Sequence, residues 1–246
     1  MQFTLFKRII LPFLIGCAVT GAASASGKPL AVPVSGGVEL SAQFFEAAGP
    51  GPAVMLLSMC DPTTSKTQWV GVAERLQAKG IHSIIFDYRG FGDSGGEMPQ
   101  MLRTVEQAMV YWRENWMGDV RAVYDTLARQ PGVDTSRLGI GGASCGVFMG
   151  LEFGLGRDNV QTFVSMGGPS DQLLADRLSE RDDLPLLIVS GNEGPALRWS
   201  DEIFAASNHL DTRITKYKRA MHGTNVFVHN PDVQDQVADW FETYLR

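Results

Sequence analysis

The sequence predicts an α/β fold, a mostly parallel central sheet with helices on both faces, and three observations predict it. Short apolar runs of strand length recur from residue 53 to residue 217, stretches with helical spacing of apolar side chains lie between them, and polar clusters follow the ends of the runs. Strands that alternate with helices imply βαβ units, whose sheets are parallel and covered on both sides. In such sheets, loops at the carboxyl ends of the strands meet in a crevice where ligands are held.

The elements follow in chain order. Lys7 and Arg8 precede an apolar stretch over residues 9–19 that gives way to Ala23-Ser24-Ala25, the pattern of a secretory signal peptide spanning residues 1–25. The apolar run is short for a membrane-spanning helix. Leu14-Ile15-Gly16-Cys17 also fits a bacterial lipobox, in which case Cys17 would carry lipid and residues 18–28 would form a tether. The expected destination is outside the cytoplasm: periplasmic or secreted, or held at a membrane through Cys17.

Residues 26–36 read as a linker and residues 37–246 as one domain. Alternation over 37–47 suggests a strand, and Gly49-Pro50-Gly51-Pro52 marks a turn. Strand-like runs occupy 53–57, 81–86, 138–140, 160–164, 184–189 and 212–217. Helical spacing marks 68–79, 117–130, 145–155, 200–208 and 232–244.

Composition excludes several functions. A chain of 246 residues with 44% apolar content can bury one sizeable core. Its formal charge of -6 becomes -8 without Lys7 and Arg8, and its basic residues are scattered, so nucleic acid and anionic lipid surfaces are poor partners. Three cysteines, Cys17, Cys60 and Cys145, do not make a disulfide scaffold. His82, His209, His222 and His229 lack metal-ligand spacing, so no metal is expected. Gly139 and Gly141 suggest a dinucleotide loop, but its third glycine position holds Ser144, and no organic cofactor is expected either.

The most informative segment is Gly142-Ala143-Ser144-Cys145-Gly146, a GxSxG sequence between a strand-like and a helix-like run. A serine hydroxyl is a weak nucleophile until it is exposed beside a base, and a sharp strand-to-helix turn provides the exposure. A β-carbon at either glycine would crowd that turn. Ser58, Met59 and Cys60 follow the run 53–57, Asp87-Tyr88-Arg89-Gly90 follows 81–86, Glu193 follows 184–189, and His222 follows the last strand.

With FDYRGFGDSGG, GGASCG and MHGTNVF in this order, the chain resembles the α/β-hydrolase superfamily over residues 37–245. Within it, the chain is similar to the compact group of dienelactone hydrolases and serine-aminopeptidase-like hydrolases. The resemblance implies that Ser144 attacks an acyl carbonyl and that His222 accepts the serine proton and returns it to the leaving group. It also implies a carboxylate behind the histidine. Glu193 is the first choice, in a turn where the family usually supplies aspartate. Asp201 and Asp171 remain open, although Asp201 also reads as a first-turn acid behind an N-cap at Ser200.

The oxyanion site would use the backbone N–H of Cys145 and one from Met59 or Cys60. Many members carry a His-Gly pair where this chain reads Ser58-Met59-Cys60-Asp61-Pro62. A loop built in the family's way would bring Cys60 near Cys145; two small buried thiols are the plain reading of that placement, a disulfide is the other, and the pairing stays open.

Arg89 and Asp93 are expected to stabilise their own loop. Tyr111, Trp112 and Trp116 are expected to pack, with an acyl pocket as the other use. The segment 167–183 leaves little room for a lid domain. The implied activity is hydrolysis of an ester or related acyl bond of a small or medium soluble substrate. An exported peptidase and a non-catalytic binding protein are the alternatives, and oligomeric state is not legible.

Overall fold

The computed structural model describes residues 27–99, 103–218 and 222–246, so the stretches read as a signal peptide and as a lipobox, with Cys17, lie outside the described residues. Eight strands form one sheet: β1 Lys28–Val34, β2 Val38–Phe45, β3 Gly51–Leu57, β4 His82–Phe86, β5 Val133–Ala143, β6 Val160–Met166, β7 Leu186–Gly191 and β8 Arg213–Tyr217. Their order is β1-β2-β4-β3-β5-β6-β7-β8. The pairs β1/β2 and β2/β4 are antiparallel and the rest are parallel. The helices are α1 Val70–Ala78, α2 Val105–Asn115, α3 Met117–Ala128, α4 Cys145–Gly154, α5 Gln172–Ser179, α6 Gly194–Ala206, α7 Val226–His229 and α8 Val233–Leu245.

Every residue of β3, β4 and β7 is buried, and so is the second half of β5 from Leu138 to Ala143, as strands covered on both faces require. One face packs against α2 to α6, with Trp116, Val120, Phe148, Leu174 and Ile203 in its core. The other packs against α1, α7 and α8 through Trp69, Leu76, Phe227, Phe241 and Leu245. The glycines of β5 that suggested a dinucleotide loop serve this second core. A β-carbon on Gly139 would come 2.7 Å from the Phe241 ring, and one on Gly141 would come 2.7 Å from Leu56.

Three expectations are corrected. The stretch expected as a linker over 26–36 contains β1, an edge strand that buries Val32 and partly buries Leu30 and Val34. Pro29 and Pro33 obscured it, but both are exposed on an edge, where a missing N–H is tolerated. The helix expected at 200–208 begins six residues earlier, at Gly194, with proline in its first turn. Ser200 is therefore a buried residue inside α6 and not its N-cap. The segment 167–183 holds a short helix, α5, capped by Asp171.

Candidate active site

The site is built where β5 turns into α4. Ser144 has φ 54° and ψ -124°, and among the described residues it alone, apart from glycines, has positive φ. The turn is fixed from both sides: the Ser144 N–H donates to the Met166 carbonyl at 3.1 Å, and the Ser144 carbonyl accepts from Val147 N–H at 2.9 Å. The glycines serve close approach, since neither Gly142 nor Gly146 has positive φ. A β-carbon on Gly142 would meet the Val147 nitrogen at 2.7 Å. One on Gly146 would meet the carbonyl oxygens of Leu57 and Ser58 at 2.6 and 2.8 Å. Gly146 thus lets the start of α4 lie against the loop that leaves β3.

His222 follows β8 and precedes a short 3-10 turn, Gly223–Asn225. Its Nε2 lies 2.7 Å from Ser144 Oγ. The Trp199 ring flanks it at 6.5 Å between centroids. Burial pushes the imidazole below its ordinary pKa, and the negative charge of Asp61 offsets part of that. A histidine poised this way is neutral at neutral pH and can accept the serine proton.

The candidate acids are placed elsewhere. Glu193 precedes α6 in extended conformation, makes no capping bond and is exposed. It forms no hydrogen bond or ion pair with His222 among the described residues, because a carboxylate at an open helix terminus is well served by water. Asp201 pairs with Lys216 at 2.6 Å. Asp171 accepts the Leu174 N–H at 2.9 Å and pairs with Arg113 at 2.8 Å. Asp61, one residue beyond Cys60, is the carboxylate whose charge bears on His222, without a hydrogen bond between them among the described residues, and the hydroxyl and N–H of Thr63 hold it below the usual carboxylate range.

Cys60 and Cys145 form a disulfide with Cα atoms 5.8 Å apart. Cys145 is first in α4, where a helix leaves its N–H groups without intrahelical partners. Among the described residues no acceptor takes the amides of Met59, Cys60 or Cys145. These unpartnered amides are the candidates for the donors an oxyanion would need.

The loop from β3 is anchored at both ends. Ser58 Oγ donates to the Phe86 carbonyl at 3.0 Å. Lys66, buried, places Nζ 2.7 Å from Asp87 and 2.9 Å from Asp93, while its own N–H donates to Asp87 at 2.6 Å. No motif in the sequence singles out Lys66. Arg89 forms a two-pronged pair with Asp119 of α3 and Asp93 pairs with Lys66, so both hold the segment that follows β4 to neighbouring elements.

A cleft of about 310 Å³ opens over Ser144 and His222, walled by Trp112, Trp199, Pro169 and Val105 together with the disulfide. The three aromatics divide: Trp112 lines this cleft, while Trp116 is fully buried, stacked on Tyr88 at 5.3 Å and met edge-on by Tyr111. Trp199 and Arg103, both at the cleft, were not singled out by sequence. Trp199 lies in the part of α6 that precedes the helix expected from residue 200.

No family model matches the chain. Two uncharacterized proteins of Mycobacterium tuberculosis, from two strains, are each 29% identical over 123 residues, which is 49% of this chain and 38% of theirs. The chain thus matches well under half the length of these curated relatives. Among solved structures it is similar to dienelactone hydrolase of Anabaena variabilis, with TM-score 0.65, 21% identity, and coverage of 89% of this chain and 98% of that one. A Pyrococcus furiosus esterase gives TM-score 0.65 at 14% identity, covering 99% and 100%. Proline iminopeptidase of Mycobacterium smegmatis gives 0.65 at 12% identity, covering 88% and 98%. At these identities the likeness is one of fold.

Proposed function

We propose that this chain, which has the α/β-hydrolase fold, is an exported serine hydrolase that cleaves an ester or related acyl bond of a small or medium soluble substrate. The observation that carries the reading is the 2.7 Å contact between His222 Nε2 and Ser144 Oγ at a strained strand-to-helix turn. Ser144 attacks the acyl carbonyl as His222 takes its proton. Negative charge develops on the carbonyl oxygen and is met by the amides of Cys145 and of Met59 or Cys60. His222 then protonates the leaving group, and water releases the acyl group by the same steps in reverse. Asp61, rather than Glu193, supplies the negative charge that favours the imidazolium.

The substrate range follows from the cleft. Its volume, about 310 Å³, is at the small end for ligand pockets, and its walls are mainly aromatic and aliphatic. Short acyl chains or a single ring fit that space. A peptidase is less well supported: none of the described residues lining the cleft is acidic, so nothing there would hold a substrate amine. Export is supported by the leader pattern of residues 1–25 and by a disulfide, which persists in oxidising compartments.

The test is to treat the purified protein with a fluorophosphonate probe, map the modified residue by mass spectrometry, and repeat with His222→Ala. The expected result is labelling at Ser144 that depends on His222. A folded protein that takes no label would instead favour a binding role.

A further inference from the structure

We propose that Cys60 and Cys145 are positioning residues: their disulfide holds the two backbone amides of the oxyanion site in register, so that turnover at Ser144 depends on the oxidised pair. The inference rests on the serine-hydrolase reading above.

Four observations lead to it. The disulfide joins the residue after the nucleophile to a residue of the loop that would supply the second donor, so it spans the two halves of one anion site. The loop is otherwise fixed by Ser58 on the Phe86 carbonyl and by buried Met59, which accepts from Thr224 Oγ1 at 3.2 Å, on one side, and by Lys66 on Asp87 on the other. Between them, the hydrogen bonds of residues 60–65 among the described residues are local, such as those of Thr63 and Thr64 to Asp61. The sulfur bridge is thus what ties the middle of the loop to the elbow. Finally, Cys60 is partly exposed and both cysteines line the cleft, so a reductant small enough to enter reaches the bond.

Reduction separates the two halves unequally. A dithiol would attack Cys60 Sγ as thiolate, form a mixed disulfide and expel Cys145 as thiolate. Its second thiol would then close on the first sulfur and release Cys60. The dithiol gives up two electrons and two protons and leaves as a cyclic disulfide, and the protein ends with two thiols. Once protonated, the freed Cys145 thiol has an acceptor within reach, the Ser58 carbonyl 3.7 Å from its Sγ, while Cys60 has no such partner among the described residues and its segment loses register. Losing one oxyanion donor outright costs about 10²–10³ in kcat, and a loop that still visits the right position should cost less, about 10- to 100-fold.

The experiment compares full-length protein purified without reductant, the same protein reduced with dithiothreitol and then reoxidised, and Cys60→Ser. Peptide mapping of alkylated thiols reports the state of Cys60 and Cys145. Assays use p-nitrophenyl acetate, with benzeneboronic acid as an inhibitor whose tetrahedral adduct needs the same amides, at a temperature where circular dichroism shows every form folded. In the reduced and Cys60→Ser forms, kcat should fall about 10- to 100-fold and the boronate inhibition constant should rise in parallel, with KM within about threefold and activity restored on reoxidation. The proposal is overturned if kcat stays within twofold, if KM alone rises, if loss follows unfolding in both forms, or if the purified protein carries both cysteines as free thiols. If the oxidised protein neither labels at Ser144 nor turns over ester, the hydrolase reading fails first and takes this inference with it.

Discussion

Replacing Ser144 by glycine and, separately, by alanine measures the strain stored at the elbow. Both variants lose the hydroxyl and its contact with His222, so those losses cancel in the comparison. What differs is the backbone at φ 54° and ψ -124°, a region that disfavours any β-carbon. The turn cannot relax, because the Ser144 N–H is held by Met166, its carbonyl by Val147, and the glycines on either side are packed against backbone. Such a conformation costs about 1–3 kcal/mol in a residue with a β-carbon. Glycine gains that back and gives up about 0.4–1 kcal/mol through its freer unfolded chain. Ser144→Gly should therefore be more stable than Ser144→Ala by about 0.5–2 kcal/mol, a difference of roughly 1–8 °C in Tm for a domain of this size. Urea and thermal unfolding of the two variants, with the disulfide intact, give the number. If the alanine variant is equal or more stable, the elbow is not strained and the argument for a turn shaped by function fails.

Three further outcomes follow from the same geometry. Since burial lowers the His222 pKa, the acid limb of kcat/KM should lie below pH 6.5; Asp61→Asn removes the charge that raises it, moving the limb further down and lowering kcat about three- to tenfold, as a partly solvated charge allows. Glu193→Gln should leave both within twofold, and a pH profile of the two variants decides which carboxylate serves the histidine. The same titration makes stability pH-dependent: His222's share is whole above its unfolded pKa of about 6.5 and is lost as pH falls through that value, because only the unfolded chain takes up the proton there. Lys66→Ala strands the buried Asp87 carboxylate, at 1% exposure, and should cost about 3–5 kcal/mol in urea unfolding, whereas loss of the exposed partner through Asp93→Asn should cost well under half of that. Reducing the disulfide reopens an 85-residue loop in the unfolded chain, which the chain-entropy relation values at about 4.5 kcal/mol, so Tm measured by calorimetry should fall by about 10 °C.

What was legible in the sequence were features whose cause is local. The run at 53–57 reads as a strand because a strand buried on both faces has few polar positions to confuse it, and it lies within β3; the run at 81–86 covers β4 although it carries buried His82 and Ser83. Ser144 and His222 were legible because the glycines and the strand-end positions that frame them are written beside them in the chain. Strand β1 was hidden by Pro29 and Pro33, whose cost depends on whether the strand lies at an edge, which only the sheet decides. Glu193 was in the right loop with its side chain facing water: a loop's position says which residues come near the site, while the direction of each side chain depends on how the next helix starts. Lys66 carried no signal, because its partners Asp87 and Asp93 are 21 and 27 residues away and meet it only through the crossing of β3 and β4.

The departure at Ser58-Met59-Cys60-Asp61-Pro62 concerns the same kind of distant contact. With the family's usual His-Gly pair absent, sequence alone left the oxyanion loop without a reason to hold its shape. The structure supplies one in three parts, two at the end of β4 and one beyond the end of β5: Ser58 on the carbonyl of Phe86, Lys66 on Asp87, and Cys60 on Cys145. The first two anchor the loop to β4 and the loop that follows it, and neither fixes the distance to the nucleophile. The start of α4 packs against the carbonyls of Leu57 and Ser58, but beyond Met59 the disulfide is what joins the loop to α4, which is why the position of the second amide, more than the overall stability of the loop, should follow the oxidation state of this pair.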